Sequence, residues 1–492
     1  MLGVERSAFG VWRWVFDVWP RAAALRSTDN VIAPSGACGG PNFKRQTPNA
    51  KRETSKQRVI FTAKLARTHA PRYHPRPMLR IRAFQGLVPD PSQVTDIACV
   101  PYDVLNTDEA RVLAEGKPNT LLRVDRAELE LPADTNPYSD AVYARAKANF
   151  ERLQQNGALR RESAPALYLY QQRMGTHVQT GLAAVCHVDD YVHERVANPL
   201  AHDIIKKHER TRQDKEDDRT KLIGTLRADT GPVFLTYRGT GKIDAIIAHE
   251  IAKAPANDFT APDGIRHTVW KITEPDTIAA LVAEFAKLPT AYVADGHHRT
   301  ASAARVGLEL RAKGQSTPDS DWFLCVLFPG SQLQIMPYNR AVKDLHGLTP
   351  EQFLAAVGQA FTLTPGASDT PAQPGDIRMY LGGKWYALGW QHAPDADPIS
   401  RLDVEGLQQR LLAPILGIDD PRTSKRIDFI GGIRGPGELV KLVDAGKAAV
   451  AFSMFPTTVQ QLMDIADAGQ IMPPKSTWFE PKLRSGLFVH TF

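Results

Sequence analysis

From Met78 to the C-terminus, short apolar runs that read as strands alternate with helical stretches at no constant interval. A doubly wound parallel sheet would separate its strands by one helix each, so this irregular spacing points to an α+β (irregular α/β) chain. The runs at 167–172 and 178–191 flank a Gly-containing turn and predict a hairpin. Residues 232–239 and 267–273 read as further strands, 138–157 as a helix closed by Gly157, and 276–288 as an amphipathic helix. WFLCVLF (322–328) and QLQIMPY (332–338) predict a second hairpin around Pro329–Gly330, and 365–375 reads as a loop. No internal repeat is visible, and no apolar run reaches the roughly 18 residues of a membrane span.

Charge divides the chain unequally. Of 60 Lys and Arg and 54 Asp and Glu, residues 1–77 hold 14 and 4, leaving 46 against 50 in the remainder. The basic excess therefore belongs to the leader, and a mildly acidic body argues against nucleic acid as a partner, since phosphate contacts dominate such affinity. The leader combines a Trp-rich opening, a Gly/Pro/Ser stretch and a basic run. It reads as a transit peptide, a disordered basic arm, or a non-native extension upstream of a start at Met78. The last is preferred, because LRIRAFQGLVP after Met78 at once resembles ordered strand. A composition of 43% hydrophobic and 23% charged residues excludes collagen-like and wholly disordered classes. Four cysteines (Cys38, Cys99, Cys186, Cys325) without a C-x-x-C pair exclude a disulfide framework or a cysteine-rich zinc site, and those of the body, set in apolar runs, read as buried and inert.

The sharpest local signal is Asp295-Gly296-His297-His298-Arg299, between an apolar strand and a helix starting near Thr300. Glycine permits the tight turn, and a helix N-terminus offers unpaired N–H groups to an anion. Arg299 adds a fork of donors, His298 can move a proton near neutral pH, and Asp295 can orient a histidine or hold Mg²⁺. The competing reading is an Asx-type cap carrying two partly exposed histidines. Adjacent histidines on one helix do not converge on one ion, which disfavours zinc.

Four further segments carry candidates. Residues 203–221 hold 13 charged residues out of 19, the pattern of a solvated helix. Within them Glu209 can act as a general base, with Arg210, Asp218 and Arg219 positioning metal or phosphate. Pro101-Tyr102-Asp103 forms a rigid turn in which Asp103 either binds metal or a substrate amine or caps the helix starting at Asn106–Thr107. Lys475-Ser476-Thr477, followed by Lys482, places cations in a loop that lacks the Walker pattern, so Lys475 reads either as an anion contact or as surface. Arg340, after a strand, is open in the same way, as a substrate contact or a structural group.

Taken together, DGHHRTASA, VPYDVL (100–105), KHERT (207–211), DDRTKLIG (217–224), IMPYNR (335–340) and MPPKSTWFEPKL (472–483) resemble the bacterial family known as domain of unknown function 1015. The resemblance spans the body, here divided into an N-terminal part (78–290) and a C-terminal part (291–492) that opens with the DGHHR turn; residues 1–77 have no counterpart. More distantly, DGHHR resembles the phosphate-binding turn of the ParB, sulfiredoxin and free-serine-kinase superfamily. That likeness implies a nucleotide-binding core with added strands and helices, in which Gly296, His297, His298, Arg299 and Thr300 meet phosphates. No cysteine stands in the turn, which disfavours the reductase branch. The expected activity is Mg²⁺-dependent phosphoryl transfer from ADP or ATP to a small hydroxylated metabolite in the cytoplasm. A nucleotide-binding switch is the alternative, and a homo-oligomer is left open. In the kinase reading Glu209, His298 and Asp295 are catalytic. Arg210, Arg219 and Lys475 join the phosphate contacts, and Tyr102, Asp103 and Arg340 contact substrate.

Overall fold

The computed structural model describes residues 78–492, and the expectations for residues 1–77 lie outside them. The chain is mixed α/β, with two main sheets. The larger has nine strands. Its main path runs Ile205–Lys206, Ala291–Asp295, Val233–Tyr237, Trp322–Pro329, His177–His187, Leu167–Met174, Arg266–Ile272 and Asn257–Thr260, and Ile81–Arg82 adds to His177–His187. Two pairings are parallel, Ala291–Asp295 with Ile205–Lys206 and Trp322–Pro329 with Val233–Tyr237; the others are antiparallel. The parts before and after residue 290 both contribute strands to this sheet, and the described residues lie within one compact unit.

The central strands are apolar without alternation because both faces are covered. From Trp322–Pro329, Phe323, Cys325 and Leu327 enter a core shared with the helices Gly241–Glu250, Pro275–Phe285 and His297–Ala312. Leu324, Val326 and Phe328 enter the opposite core, shared with the second sheet and its helices. That sheet is antiparallel and six-stranded, in the order Thr362–Pro365, Lys384–Gly389, Asp376–Leu381, Val450–Ser453, Tyr338–Val342, Ile427–Gly431. A third cluster packs helices Thr107–Ala114 and Asp140–Gln155 against Leu222 and Leu226 of helix Gln213–Leu226.

The first predicted hairpin forms, from Leu167–Met174 and His177–His187 around Gly175, whose φ is +58°. The second does not. Trp322–Pro329 ends in a short 3-10 turn, and Gln334–Ile335 pairs with Phe479–Glu480, some 145 residues on. Pro329–Gly330 thus redirects the chain to the second lobe, where Tyr338–Val342 joins the six-stranded sheet. Cys99, Cys186 and Cys325 are all buried thiols.

Candidate functional site

Strand Ala291–Asp295 reaches the site through a bulge. Against Val233–Tyr237 its register advances from Val293↔Leu235 to Asp295↔Phe234, leaving Ala294 unpaired. Such an extra residue bends a strand and re-aims the next side chain. Gly296 follows at φ +86°, a left-handed conformation costly for any residue with a Cβ, and serves as the N-cap of helix His297–Ala312. No side chain caps this end. The amides of His297, His298 and Arg299 lack acceptors within the helix, whereas that of Thr300 donates to the Gly296 carbonyl at 2.9 Å.

The helix is seated by small residues. Ala301, Ser302, Ala303 and Ala304 are buried, Ser302 donates to the Glu216 carbonyl at 3.0 Å, and a Cβ on Gly307 would meet the Ser320 carbonyl oxygen at 2.6 Å. The crossing helix Gln213–Leu226 therefore sits close, and the chain just before it brings Glu209 to the turn.

Several predicted residues converge around Gly296. Asp295 is flanked by Lys482 (Nζ 3.5 Å) and Arg299 (3.7 Å). Burial opposes its ionisation, yet Lys482, Arg299 and His297 together hold its carboxyl down at about 2. Glu209 points its Oε2 to 3.7 Å from His297 Nδ1 and leaves 58% of its side chain exposed. The surrounding protein and the charges of Asp295 and Asp103 raise its pKa, while His298 and Lys475 oppose the rise. Asp103 is exposed and, among the described residues, makes no hydrogen bond or ion pair; the cap of helix Thr107–Ala114 is Asn106, in a capping box with Glu109. Asp103 nevertheless lies within electrostatic reach of Glu209, His298 and Lys482.

The two histidines of the turn differ. His297 is buried edge-on against His208 with centroids 4.4 Å apart, and burial pushes its pKa down to about 3, with Asp295 opposing. It is neutral at physiological pH, and its buried Nε2 has no hydrogen-bond partner among the described residues. His298 is half-buried, and its Nε2 accepts the Arg212 backbone N–H at 3.0 Å. Burial lowers its pKa despite Glu209, so the neutral ring carries its proton on Nδ1.

Other candidates are turned away from the cleft. The Arg299 guanidinium folds beneath Gly296 and donates to the Pro232 carbonyl. With Arg219, Tyr102, Asp125, Thr230 and Ser485 it lines an enclosed pocket behind the turn. Arg219 lies 4.1 Å over the Tyr102 ring and donates to Asp218, which also accepts from Tyr143. The Thr300 hydroxyl donates to the Gly296 carbonyl at 3.1 Å. Arg340 is buried with no carboxylate beside it, and donates to the carbonyls of Tyr338 and Lys475. Burial lowers its pKa to about 10. It thus braces the Lys475 backbone, held at φ +57°, while the Lys475 ammonium stands exposed 5.4 Å from the Tyr338 ring. Arg210 is exposed and unpartnered among the described residues.

Lys482, which the sequence offers only as a cation following the Lys475 loop, and Glu480, which it does not single out, complete the site. Glu480 is buried, accepts from Trp478 Nε1 at 2.6 Å, and has its pKa raised by burial. Their one signal was the sequence EPK just beyond the Lys475 loop. Among the described residues no group of three or more His, Cys, Asp or Glu could hold a metal ion by itself. No helix among them is long and apolar enough to cross a membrane.

Fold and site thus define a mixed α/β protein whose charged cleft is built on an uncapped helix N-terminus. The family model of DUF1015, described as a protein of unknown function, matches residues 81–405, and the chain belongs to that family. The cleft draws Lys475, Glu480 and Lys482 from beyond the matched segment. No curated protein matches the chain. Among solved structures it is similar to a free serine kinase in complex with AMP, at 13% identity over 58% of this chain and 89% of that one, with a TM-score of 0.30. It is similar also to SbnI with a C-terminal truncation from Staphylococcus aureus, at 12% identity over 61% and 82%, with a TM-score of 0.32. A conserved hypothetical protein from Pyrococcus furiosus gives 14% identity over 57% and 90%, with a TM-score of 0.28.

Proposed function

We propose that the cleft binds a nucleoside di- or triphosphate and transfers its terminal phosphoryl group to a small hydroxylated metabolite. One observation carries the reading: an uncapped helix N-terminus, entered through a left-handed glycine, faces an exposed carboxylate of raised pKa with cations beside it. The free amides of His297 to Arg299 suit phosphate oxygens. Arg299 beneath the turn adds positive potential without leaving its bond to Pro232.

Glu209 is the base. It takes the proton of the acceptor hydroxyl as that oxygen forms its bond to phosphorus, and the bond from phosphorus to the nucleotide's bridging oxygen breaks, leaving the nucleotide one phosphate shorter. A raised pKa brings Glu209 nearer the operating pH, where a general base works best. His298 Nδ1–H is the donor on the same side, fixed in tautomer by Arg212. Mg²⁺ is typically held by one or two carboxylates plus substrate phosphates rather than by an all-protein cage. Asp103, exposed and unbonded, fits that role, in which the ion would neutralise phosphate charge.

The reading is tested by thermal shift of the full chain with ADP, ATP, CTP and GTP in Mg²⁺, with and without candidate acceptors, serine first. A nucleotide at 100 times its dissociation constant stabilises by about 2.7 kcal/mol. A shift with one nucleotide, enlarged by one acceptor, supports transfer; no shift with any nucleotide ends the reading.

A further inference from the structure

We infer that Lys482 is the residue that meets the terminal phosphoryl group, exchanging its contact with Asp295 for the incoming phosphate. This deepens the proposed function and rests on it: it names the cation of that site and places it on a segment outside the matched family region.

An ammonium has three N–H donors. Among the described residues one oxygen acceptor lies within hydrogen-bonding range of Lys482 Nζ, Asp295 Oδ2 at 3.5 Å, and the ammonium also stands 5.3 Å from the centre of the Trp478 ring, although 83% of the side chain is shielded (17% exposed). A ring face is a weaker partner than a phosphate oxygen, so donors remain that an incoming anion can take. The charge itself is secure. Burial works against it, but Asp295, Glu480 and Asp103 together raise the pKa of Lys482. Asp295 immediately precedes Gly296, so this contact ties the ammonium to the residue that opens the turn.

The rival cations are placed otherwise. Arg299 donates into the protein under the turn, and Arg340 is spent on two carbonyls. Lys475 stands at the exposed rim.

Lys482 is also held from behind by polar groups with no contact to the cleft's acids. Its carbonyl accepts from Gln172 Nε2 at 2.9 Å, and Gln172 accepts from Gln179 at 3.0 Å. Two residues on, the Arg484 amide donates to the Tyr170 hydroxyl at 3.3 Å, and the Arg484 side chain donates to His267. Gln172, Gln179, Tyr170 and His267 are fully buried. A lysine needed only as a counter-ion for a partly exposed aspartate would not require its own carbonyl and the residue two further on to be pinned by buried polar groups.

The test compares ATP, ADP and AMP binding by calorimetry for the wild type, Lys482→Met and Lys482→Arg, with thermal midpoints recorded for each. Lys482→Met is expected to weaken ATP at least tenfold while leaving AMP within about twofold; Lys482→Arg, which keeps the charge, is expected to retain the preference for ATP over AMP. Equal loss of ATP and AMP, or no loss, in a folded Lys482→Met overturns the assignment. If Lys482→Met does not fold, Lys482→Gln takes its place under the same criteria: selective loss of ATP supports the assignment, and equal loss of ATP and AMP, or no loss, overturns it. A wild type that binds none of the three removes the proposed function itself, a result distinct from a wild type that binds ATP with or without Lys482.

Discussion

Gly296→Ala offers a test in which the structure supplies its own control, because both ends of helix His297–Ala312 carry a left-handed glycine. Gly314, just past the C-terminal end at φ +66°, has nothing within 4 Å of an added Cβ. Gly314→Ala should thus cost only the left-handed backbone, about 1–2 kcal/mol. At Gly296 (φ +86°) the same backbone cost applies, and the new Cβ also falls 3.0 Å from the guanidinium carbon, Nε and one terminal nitrogen of Arg299. The guanidinium must give by a few tenths of an ångström, and because it is fixed by its bond to the Pro232 carbonyl we expect that bond to be lost. Losing a hydrogen bond from a charged donor adds about 1.5–3 kcal/mol, for a total of roughly 2.5–5 kcal/mol. Denaturant unfolding of both variants, read as midpoints at a common slope, measures the difference, and nucleotide titration of each runs in parallel. Gly296→Ala is expected to be the less stable by about 1.5–3 kcal/mol and to lose nucleotide binding, with Gly314→Ala binding as wild type. Equal midpoints, or unimpaired binding in Gly296→Ala, would refute the account of Arg299 as the turn's internal brace.

Other perturbations follow from the same geometry. Glu209→Gln should leave nucleotide affinity within a few-fold and lower turnover by about 10²–10⁴, as removal of a general base does; single-turnover rates at saturating nucleotide check it. Because the Glu209 pKa is raised, the acid limb of the wild-type kcat/KM profile should lie above the ordinary glutamate value of 4.5 and vanish in that variant. Arg299→Ala should destabilise by about 1–3 kcal/mol, since the buried Pro232 carbonyl loses its charged donor, so its binding defect must be measured on the folded fraction. Away from the site, burial and Asp376 push Asp403 up to about 6 from 3.8, against bonds from the Gly375 amide and Trp390 Nε1. A raised carboxyl pKa makes the charged form costly in the folded state, so this penalty is absent below about pH 4, grows as pH rises and is complete above about pH 6. At about 1.4 kcal/mol per pH unit it is on the order of 3 kcal/mol at most. Asp403→Asn keeps an acceptor for both donors and should be more stable than wild type at pH 8 but not at pH 4.

Local patterns exposed the elements more fully than their partners. The run at 167–172, the helix at 276–288 and the strand–turn–helix at Asp295 each carry their signal within a dozen residues, and each forms. Gln334–Ile335 reads as half of a hairpin because Pro329–Gly330 is a good local turn; its true partner, Phe479–Glu480, is chosen by the core between the lobes, which no short window reveals. Site residues divide in the same way. Glu209, Asp103 and Lys475 stand near the turn, although nothing in their spacing along the chain requires it. Arg299 and Thr300 follow the turn in sequence, yet helix geometry directs the guanidinium inward and the hydroxyl onto Gly296. Lys482 shows in the sequence only as a further cation after Lys475, because a single lysine among prolines has no pattern of its own; what distinguishes it is the buried glutamines and tyrosine behind it.

The close seat of Gly307 against the Ser320 carbonyl has a consequence for how the cleft can work. A helix held at contact distance along its length has no lower-energy register to slide into, so its first turn belongs to the part of the molecule that opens last. Amide exchange should find the backbone of 300–310 among the slowest in the chain, and 207–212 and 472–477 among the faster. Whatever adjustment accompanies ligand entry then falls to those two flanking segments, which deliver Glu209 from one side and Lys475 from the other. On the proposed reading the helix end that meets phosphate stays still, and the segments carrying Glu209 and Lys475 do the moving.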